Sequence, residues 1–309
     1  GESIWLGHFL HWVLNEFAVV AGRKGDEDTA RRYEGAAREL KEAINAHGWD
    51  GEWYIRATCD DGTLLGSSKS KYGRIFLNAQ TWAVMSGVAD DSRVRAAMDA
   101  VKRHLSLACG PVLLAPAYQE PDEKIGYLTR YAPGVRENGG RYTHASCWAI
   151  LAAAMMRDAQ EAWRMYRNIC SIHCGENPDL YKVEPYVTAG NADGPDSPNM
   201  GEGGWTWYTG SAAWLFRVCT DWLLGVRAEY DGLLVDPCIP PEWDGFTVRR
   251  TFRGAIYQII VRNPDHVASG VSKVAVDGIP GRSNLLPPVG DGRVHDVEII
   301  LGRDQSQRG

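Results

Sequence analysis

The spacing of apolar residues changes near Arg227. It is helical before this residue, and short β-rich runs follow it. Apolar residues recur at helical spacing over 2–21, 26–47, 78–87, 92–105, 146–156, 159–170 and 209–224. The β-rich runs cover 232–239, 246–252, 255–261, 271–276 and 294–301. This order predicts an α+β multidomain protein, with a helical domain over 1–228 and a C-terminal antiparallel β-sandwich, jelly-roll-like, over 229–309.

Two long connections, 106–143 and 171–208, interrupt the helical part and are rich in Gly and Pro. Loops of this length are uncommon unless they carry function. Helices joined by such loops at one end predict a helical barrel with its active site at the loop end. An (α/α)6 barrel has twelve helices. This sequence has about seven, which predicts the second half of such a barrel.

Composition excludes several classes of protein. The formal net charge of −6 argues against a general nucleic-acid binder or a binder of anionic membranes. No apolar run approaches the roughly 18 residues of a transmembrane helix, so we expect no membrane association. Seven scattered cysteines favour reduced thiols in a cytoplasmic protein. The pattern Cys-Ser-Ile-His-Cys at 170–174 lacks a second ligand pair at zinc spacing, so no metal is expected.

The segment 131–144 is the first candidate site, because it places Arg136 beside Glu137 and ends in His144. A guanidinium and a carboxylate together can grip several sugar hydroxyls in fixed geometry, and an imidazole can donate to an anion. The structural alternative is a surface turn followed by Thr143 as the N-cap of the next helix.

The segment 201–211, Gly-Glu-Gly-Gly-Trp-Thr-Trp-Tyr-Thr-Gly-Ser, is the second candidate because it runs straight into a helix. Glycines allow close approach of a ligand, and N–H groups at a helix start favour an anion such as phosphate. Thr209 adds a hydroxyl and Gly210 an unobstructed N–H, although Thr209 can also simply cap the helix. Weaker candidates for sugar binding are Glu184 and Tyr186 near a chain reversal and Gln80 at a helix start.

Ordered motifs extend along nearly the whole chain: Gly-Glu-Ser at 1–3, Asp-Gly-Glu-Trp-Tyr at 50–54, Gly-Arg-Ile-Phe-Leu-Asn-Ala-Gln-Thr-Trp at 73–82, Gly-Val-Arg-Glu-Asn-Gly at 134–139, Val-Glu-Pro-Tyr at 183–186, Trp-Tyr-Thr-Gly at 207–210, Gly-Val-Arg at 225–227 and the segment 230–240. In these motifs the chain resembles the inverting β-glycoside phosphorylases of glycoside hydrolase family 94, of the cellobiose and chitobiose phosphorylase type. The resemblance implies an (α/α)6 barrel followed by a small β domain. It also implies reversible phosphorolysis of a β-linked glucoside or N-acetylglucosaminide to an α-sugar 1-phosphate, with inorganic phosphate as co-substrate and no other cofactor.

The resemblance also implies roles for residues. His144, Thr209 and Gly210 match the family's phosphate-binding residues, and Arg136 and Glu137 match residues that bind the acceptor sugar. The family's general acid is the second Asp of an Asp-Trp-Asn-Asp motif shortly before the Gly-Glu-Ser. We therefore expect that acid upstream of Gly1, assign no catalytic residue within this chain, and expect the fragment alone to be inactive.

Two departures concern the acceptor. Arg136 stands where cellobiose phosphorylases often have Lys, and Gly190 where disaccharide phosphorylases usually have Gln, which predicts open room beside the acceptor. The run at 203–210 also resembles the phosphorylase-like domain of cyclic β-1,2-glucan synthases. That domain and a non-catalytic carbohydrate-binding module remain alternatives to a gluco-disaccharide or oligosaccharide phosphorylase. Family members often form homodimers, which makes a second copy an expected partner.

Overall fold

The computed structural model describes residues 1–207 and 209–302, with residue 209 described by its backbone alone. The helices are α1 (Ile4–Arg23), α2 (Glu27–His47), α3 (Leu77–Met85), α4 (Asp91–His104), α5 (Thr143–Met155), α6 (Ala159–Ile169), α7 (Ser171–Cys174), α8 (Pro178–Tyr181) and α9 (Thr209–Arg217), with a 3-10 turn Tyr127–Arg130 and a π-helical turn Val218–Leu223. All seven predicted helices form. Local signals fix several starts: Ser3, Asp26 and Asp90 each accept a hydrogen bond from a main-chain N–H of the helix they precede.

Short strands accompany the helices in the first part of the chain and longer ones fill the last part. They are β1 (Ala57–Thr58), β2 (Leu64–Leu65), β3 (Ile75–Phe76), β4 (Ser106–Leu107), β5 (Gly110–Pro111), β6 (Leu114–Ala115), β7 (Arg141–Tyr142), β8 (Asn191–Ala192), β9 (Gly203–Gly204), β10 (Val226–Ala228), β11 (Leu233–Val235), β12 (Gly245–Phe252), β13 (Ala255–Arg262), β14 (Val271–Val276), β15 (Ile279–Pro280), β16 (Leu285–Leu286) and β17 (Val294–Leu301). The mixture of helices and several small sheets is the α+β class that the sequence predicts.

The chain divides into two compact units. The first contains Gly1–Ala152 and Met165–Ala212, and the second contains Ala153–Arg164 and the chain from Ala213 onward. These bounds are not those of the domains predicted at 1–228 and 229–309, and that division stays a prediction. Within residues 1–207 and 209–302 the helices form no closed barrel, so the barrel also remains an expectation from the family.

The β-rich part of the second unit contains two sheets that share one buried core. The three-stranded sheet has the order β10-β11-β16 and the five-stranded sheet the order β12-β13-β17-β14-β15. Leu233 from the first sheet and Ile259 and Ile299 from the second all lie in the same apolar cluster. The predicted antiparallel sandwich is wrong in one pairing, because β13 and β17 run parallel. The jelly-roll connection stays a prediction.

Helix α1 packs a different face from the one that its periodicity suggests. Its buried residues are Ile4, His8, His11, Ala18 and Ala21, whereas Leu6, Phe9, Leu10 and Phe17 are exposed. Burial lowers the pKa of His8 to about 3, so this imidazole is uncharged and its desolvation costs less.

The expectation of no 18-residue apolar segment is also corrected. By length and composition α1 meets the criteria for a membrane span, as core helices and signal sequences also do.

Gln80 joins α3 to the segment that follows α2. Its side chain is 0% exposed. The carboxamide accepts from Tyr54 N–H at 3.0 Å and donates to Tyr54 O at 2.7 Å and Phe76 O at 3.1 Å. All of its hydrogen bonds in the described structure therefore go to main chain within the fold. This placement differs from the predicted sugar contact and indicates a structural role.

We predict that Gln80→Ala lowers the free energy of unfolding by about 1–3 kcal/mol, because it leaves buried main-chain groups of Tyr54 unpaired. Urea unfolding of the 309-residue chain measures the change. Gln119→Ala serves as the control, because Gln119 is exposed and its side chain donates to Ala117 O at 3.2 Å. Equal unfolding midpoints for the two variants would contradict the structural role of Gln80.

His295 in β17 lies between two carboxylates, with Nδ1 at 2.7 Å from Asp277 Oδ2 and Nε2 at 3.1 Å from Asp291 Oδ1. Hydrogen bonds to Asp277 and then to Asp291 raise the pKa of His295 above its ordinary 6.5. A His whose pKa is raised on folding contributes its full stabilisation below pH 6.5, the value in the unfolded chain. This stabilisation is lost as pH rises through the pKa in the folded protein.

We therefore predict that the melting temperature of the parent exceeds that of His295→Gln most at pH 6, and that this difference shrinks as pH rises from 6 to above 8. Differential scanning calorimetry across that range measures it. His266→Gln, at an exposed position, should keep the parent's slope. An unchanged slope in His295→Gln would refute the account.

Candidate active site

A three-stranded sheet in the first unit brings together segments that are distant in the sequence. The order is β7-β8-β9, and both pairings are antiparallel. At one end of this sheet, Thr143 N–H donates to Gly190 O at 3.0 Å and Gly190 N–H donates to Trp205 O at 2.9 Å. The residue after β7, the residue before β8 and the residue after β9 therefore meet at this end.

Helices α5 and α9 contact each other close to their starts. Cys147 Sγ in the second turn of α5 lies 3.8 Å from Ser211 O in the first turn of α9. His144 is the second residue of α5 and Gly210 the second residue of α9. Two neighbouring helix starts present main-chain N–H groups and the positive ends of two helix dipoles, which favour an anion.

The three predicted phosphate-binding residues are described to different extents. A Cβ atom placed on Gly210 would meet no atom of the described residues within 4 Å, so among these residues the helix start is open. The backbone of Thr209 begins α9, and its side chain lies outside the described residues. His144 is half-buried with its ring 4.6 Å from that of Trp148, and burial lowers its pKa, so the imidazole is mainly neutral at pH 7.

The alternative that Thr143 merely caps α5 is not supported. Thr143 is the first residue of the helix and is fully buried. Its hydroxyl has no hydrogen-bond partner within residues 1–207 and 209–302. A capping side chain would accept from an N–H of the first turn.

Arg136 and Glu137 form an ordered pair at the edge of the same site. The Arg136 guanidinium carbon lies 3.3 Å from the ring centroid of Trp205 and 4.6 Å from that of Tyr131. Its Nε lies 3.4 Å from Glu137 Oε2. That carboxylate oxygen is buried and makes no hydrogen bond to any residue that the structure describes, so it can accept one from a ligand hydroxyl.

Asn138 holds the loop that carries this pair, a role that the sequence interpretation missed. Its buried carboxamide accepts from Tyr118 N–H at 2.8 Å and donates to Tyr118 O and Tyr131 O, both at 2.9 Å. Gly134 N–H donates to Asn138 O, and Gly194 N–H donates to Gly134 O at 2.7 Å. The sequence does contain a signal for this role, because Asn138 stands between turn glycines and Asn side chains often bond to nearby main chain.

Glu184 and Tyr186 lie together through a residue that the sequence interpretation did not single out. Trp207 Nε1–H donates to Glu184 Oε1 at 3.0 Å, and the ring of Trp207 lies 6.1 Å from that of Tyr186. The backbone φ angles of Trp205 and Trp207 are 56° and 67°. Positive φ in bulky residues is a genuine outlier and is concentrated at functional sites.

The expected open room beside Gly190 is filled. A Cβ atom on Gly190 would lie 2.9 Å from Trp205 O and 3.1 Å from Trp205 Cβ. The missing side chain therefore makes space for Trp205 and leaves no gap for an acceptor, so the prediction of open room is wrong. In the part of the chain that the structure describes, no three His, Cys, Asp or Glu side chains are grouped as metal ligands.

Comparison with known proteins gives relatives along the whole chain. A solabiose phosphorylase of Paenibacillus borealis is 38% identical over 97% of this chain and 39% of its own length. An N,N'-diacetylchitobiose phosphorylase of Vibrio proteolyticus is 36% identical over 98% of this chain and 38% of its own. The cyclic β-(1,2)-glucan synthase NdvB of Rhizobium meliloti is 38% identical over 90% of this chain and 10% of its own.

The chain thus spans about two fifths of the length of the phosphorylases that it matches. A solved sialidase structure has a similar fold over 80% of this chain and 22% of its own, with a TM-score of 0.60 at 14% identity. The family model of the glycosyl hydrolase 94 superfamily, catalytic domain, matches residues 1–225. The resemblance to phosphorylases is therefore confirmed, and the chain belongs to the glycosyl hydrolase 94 superfamily.

Proposed function

We propose that this chain is part of an inverting glycoside phosphorylase, in which it holds inorganic phosphate and the acceptor sugar. The β7-β8-β9 sheet carries the proposal, because it joins the start of α5 to the strand that leads to α9. Phosphate binds between these helix starts, on His144, Thr209 and Gly210. The acceptor sugar binds at Arg136 and Glu137, with Glu184 and Tyr186 beside it.

In the proposed reaction, a phosphate oxygen attacks the anomeric carbon of a β-linked glucoside. The glycosidic C–O bond breaks, a general acid protonates the departing oxygen, and an α-sugar 1-phosphate forms with inverted configuration. Phosphate replaces the base-activated water of an inverting hydrolase, so one carboxylic acid suffices. That acid is expected upstream of Gly1, and the 309-residue chain alone is expected to be inactive.

A phosphorylase-like domain of a glucan synthase is the second candidate. NdvB is as similar to this chain as the solabiose phosphorylase is, at 38% identity. The two candidates share the site chemistry and differ in their surroundings. A membrane-bound glycosyltransferase region in the same gene favours the synthase.

The test is phosphorolysis by the full-length protein. It is incubated with phosphate and a panel of β-linked gluco- and N-acetylglucosaminyl disaccharides, and sugar 1-phosphate is measured with its anomeric configuration. We expect α-sugar 1-phosphate that depends on phosphate. Release of free sugar at the same rate without phosphate would contradict the proposal.

We predict that Gly210→Ala separates folding from phosphate binding in the full-length enzyme. The position is open, and Ala is favoured over Gly in a helix by about 1 kcal/mol. The melting temperature should therefore be unchanged or higher. The added methyl group obstructs the helix start, so KM for phosphate should rise. His144→Ala removes a hydrogen bond to a charged ligand, worth about 1.5–3 kcal/mol, so it should raise KM about tenfold or more.

Gly22→Ala is the matched control, because Gly22 also lies in a helix with nothing within 4 Å of the added Cβ. Its KM for phosphate should equal that of the parent. Initial rates at varied phosphate and saturating disaccharide give these values. If Gly210→Ala and His144→Ala raise KM no more than Gly22→Ala does, phosphate binds elsewhere.

A further inference from the structure

We infer that Trp205 and Trp207 form a binding platform for a linear glucan chain longer than a disaccharide. The inference rests on the proposed function, since the platform continues from the acceptor position at Arg136 and Glu137. It narrows the expected substrate from a disaccharide or an oligosaccharide to an oligosaccharide with several β-linked units. Tyr186 lies at its outer edge, next to Trp207.

The platform exposes three large aromatic side chains on adjoining segments. Trp205 is 44% exposed, Trp207 66% and Tyr186 74%. Single exposed apolar residues are common, but grouped aromatic rings rimmed by polar groups mark binding surfaces. Aromatic rings with a polar atom at one edge suit ligands that are apolar on one face and polar at the rim. A pyranose ring has such a form, with C–H bonds on its face and hydroxyls around its edge.

Both indoles are held in place despite strained backbone. Trp205 and Trp207 have φ angles of 56° and 67°, which bulky residues rarely adopt. The Trp205 ring rests on the Arg136 guanidinium at 3.3 Å, and Trp207 Nε1–H donates to Glu184 at 3.0 Å. Strain of this kind persists where the surroundings over-determine it, and it then presents a pre-organised surface.

The arrangement reaches beyond one acceptor sugar. Arg136 covers one face of Trp205, and 44% of that residue remains exposed for a further sugar unit. Trp207 follows two residues later, which limits the separation of the two Cα atoms to about 7 Å. Adjoining units of one chain can therefore contact adjoining indoles, while Glu184 at the rim accepts hydrogen bonds from their hydroxyls.

The test is direct binding of glucan oligomers to the 309-residue chain, which needs no catalysis. Linear β-1,2- and β-1,4-linked gluco-oligosaccharides of two and six units are titrated by calorimetry. We expect the six-unit chain of at least one linkage to bind about tenfold more tightly than its two-unit counterpart. Trp207→Ala should reduce six-unit affinity to the two-unit level, and Trp207→Phe should retain part of the gain, since an aromatic face remains.

Phe216→Ala is the control, because Phe216 is an aromatic residue that is 64% exposed and lies outside the platform. It should leave both affinities unchanged. Equal affinities for two and six units, or a loss in Trp207→Ala that is the same for both, would overturn the platform. The absence of binding by every oligomer would also overturn it.

The outcome is independent of the test of phosphorolysis. Disaccharide phosphorolysis without length-dependent binding leaves the proposed function standing and removes the platform. Length-dependent binding that Trp207→Ala abolishes, in a full-length protein without phosphorolysis, supports the platform and removes the proposed function.

Discussion

The antiparallel pairing of three two-residue strands is the interaction on which the site depends. One N–H···O bond joins Thr143 to Gly190, and a second joins Gly190 to Trp205. Through them, the start of α5, the chain after Tyr186 and the chain that leads into α9 share one end of a small sheet. A ladder this short is marginal alone. Its neighbours support it, because Asn138 donates to Tyr118 O, and Gly194 after β8 donates to Gly134 O in the loop before β7.

Glycine at position 190 is part of the same constraint. Its hydrogen atom lies where any Cβ would press on Trp205. Trp205 in turn packs its ring on Arg136, and Arg136 lies beside Glu137. A change at one of these positions is therefore expected to displace all the residues of the proposed acceptor site together. Specificity then follows from packing among the side chains as much as from a hydrogen bond to the sugar.

In the proposed phosphate site, helix dipoles contribute more than formal charge. The open start of α9, the adjoining start of α5 and a mainly neutral His144 attract an anion with partial charges. Moderate attraction suits a co-substrate that must react, because binding that is equally strong in the ground and transition states does not raise kcat. Arg136, the cation of the proposed acceptor site, contacts Glu137 and two aromatic rings instead.

Much of the secondary structure could be predicted because its signals are local. Ser3, Asp26 and Asp90 mark helix starts from within their own segments. The corrections concern contacts between distant segments. Periodicity places Leu6 and Phe9 on one face of α1 but does not tell which segment covers it, and both are exposed. Likewise, Gln80 bonds to main chain before α3, and β13 pairs with β17 in parallel. No pattern within a single segment contains such partners.

The position of the phosphate site can be tested most directly at His144. A bound dianion beside the imidazole stabilises the protonated ring and raises its pKa from the lowered value in the free protein. Carbon-13 labelling of the eight histidines, with His144→Gln to assign the signal, allows each to be titrated by NMR with and without phosphate. The account predicts that saturating phosphate raises the pKa of His144. An unchanged His144 titration at saturating phosphate would contradict it.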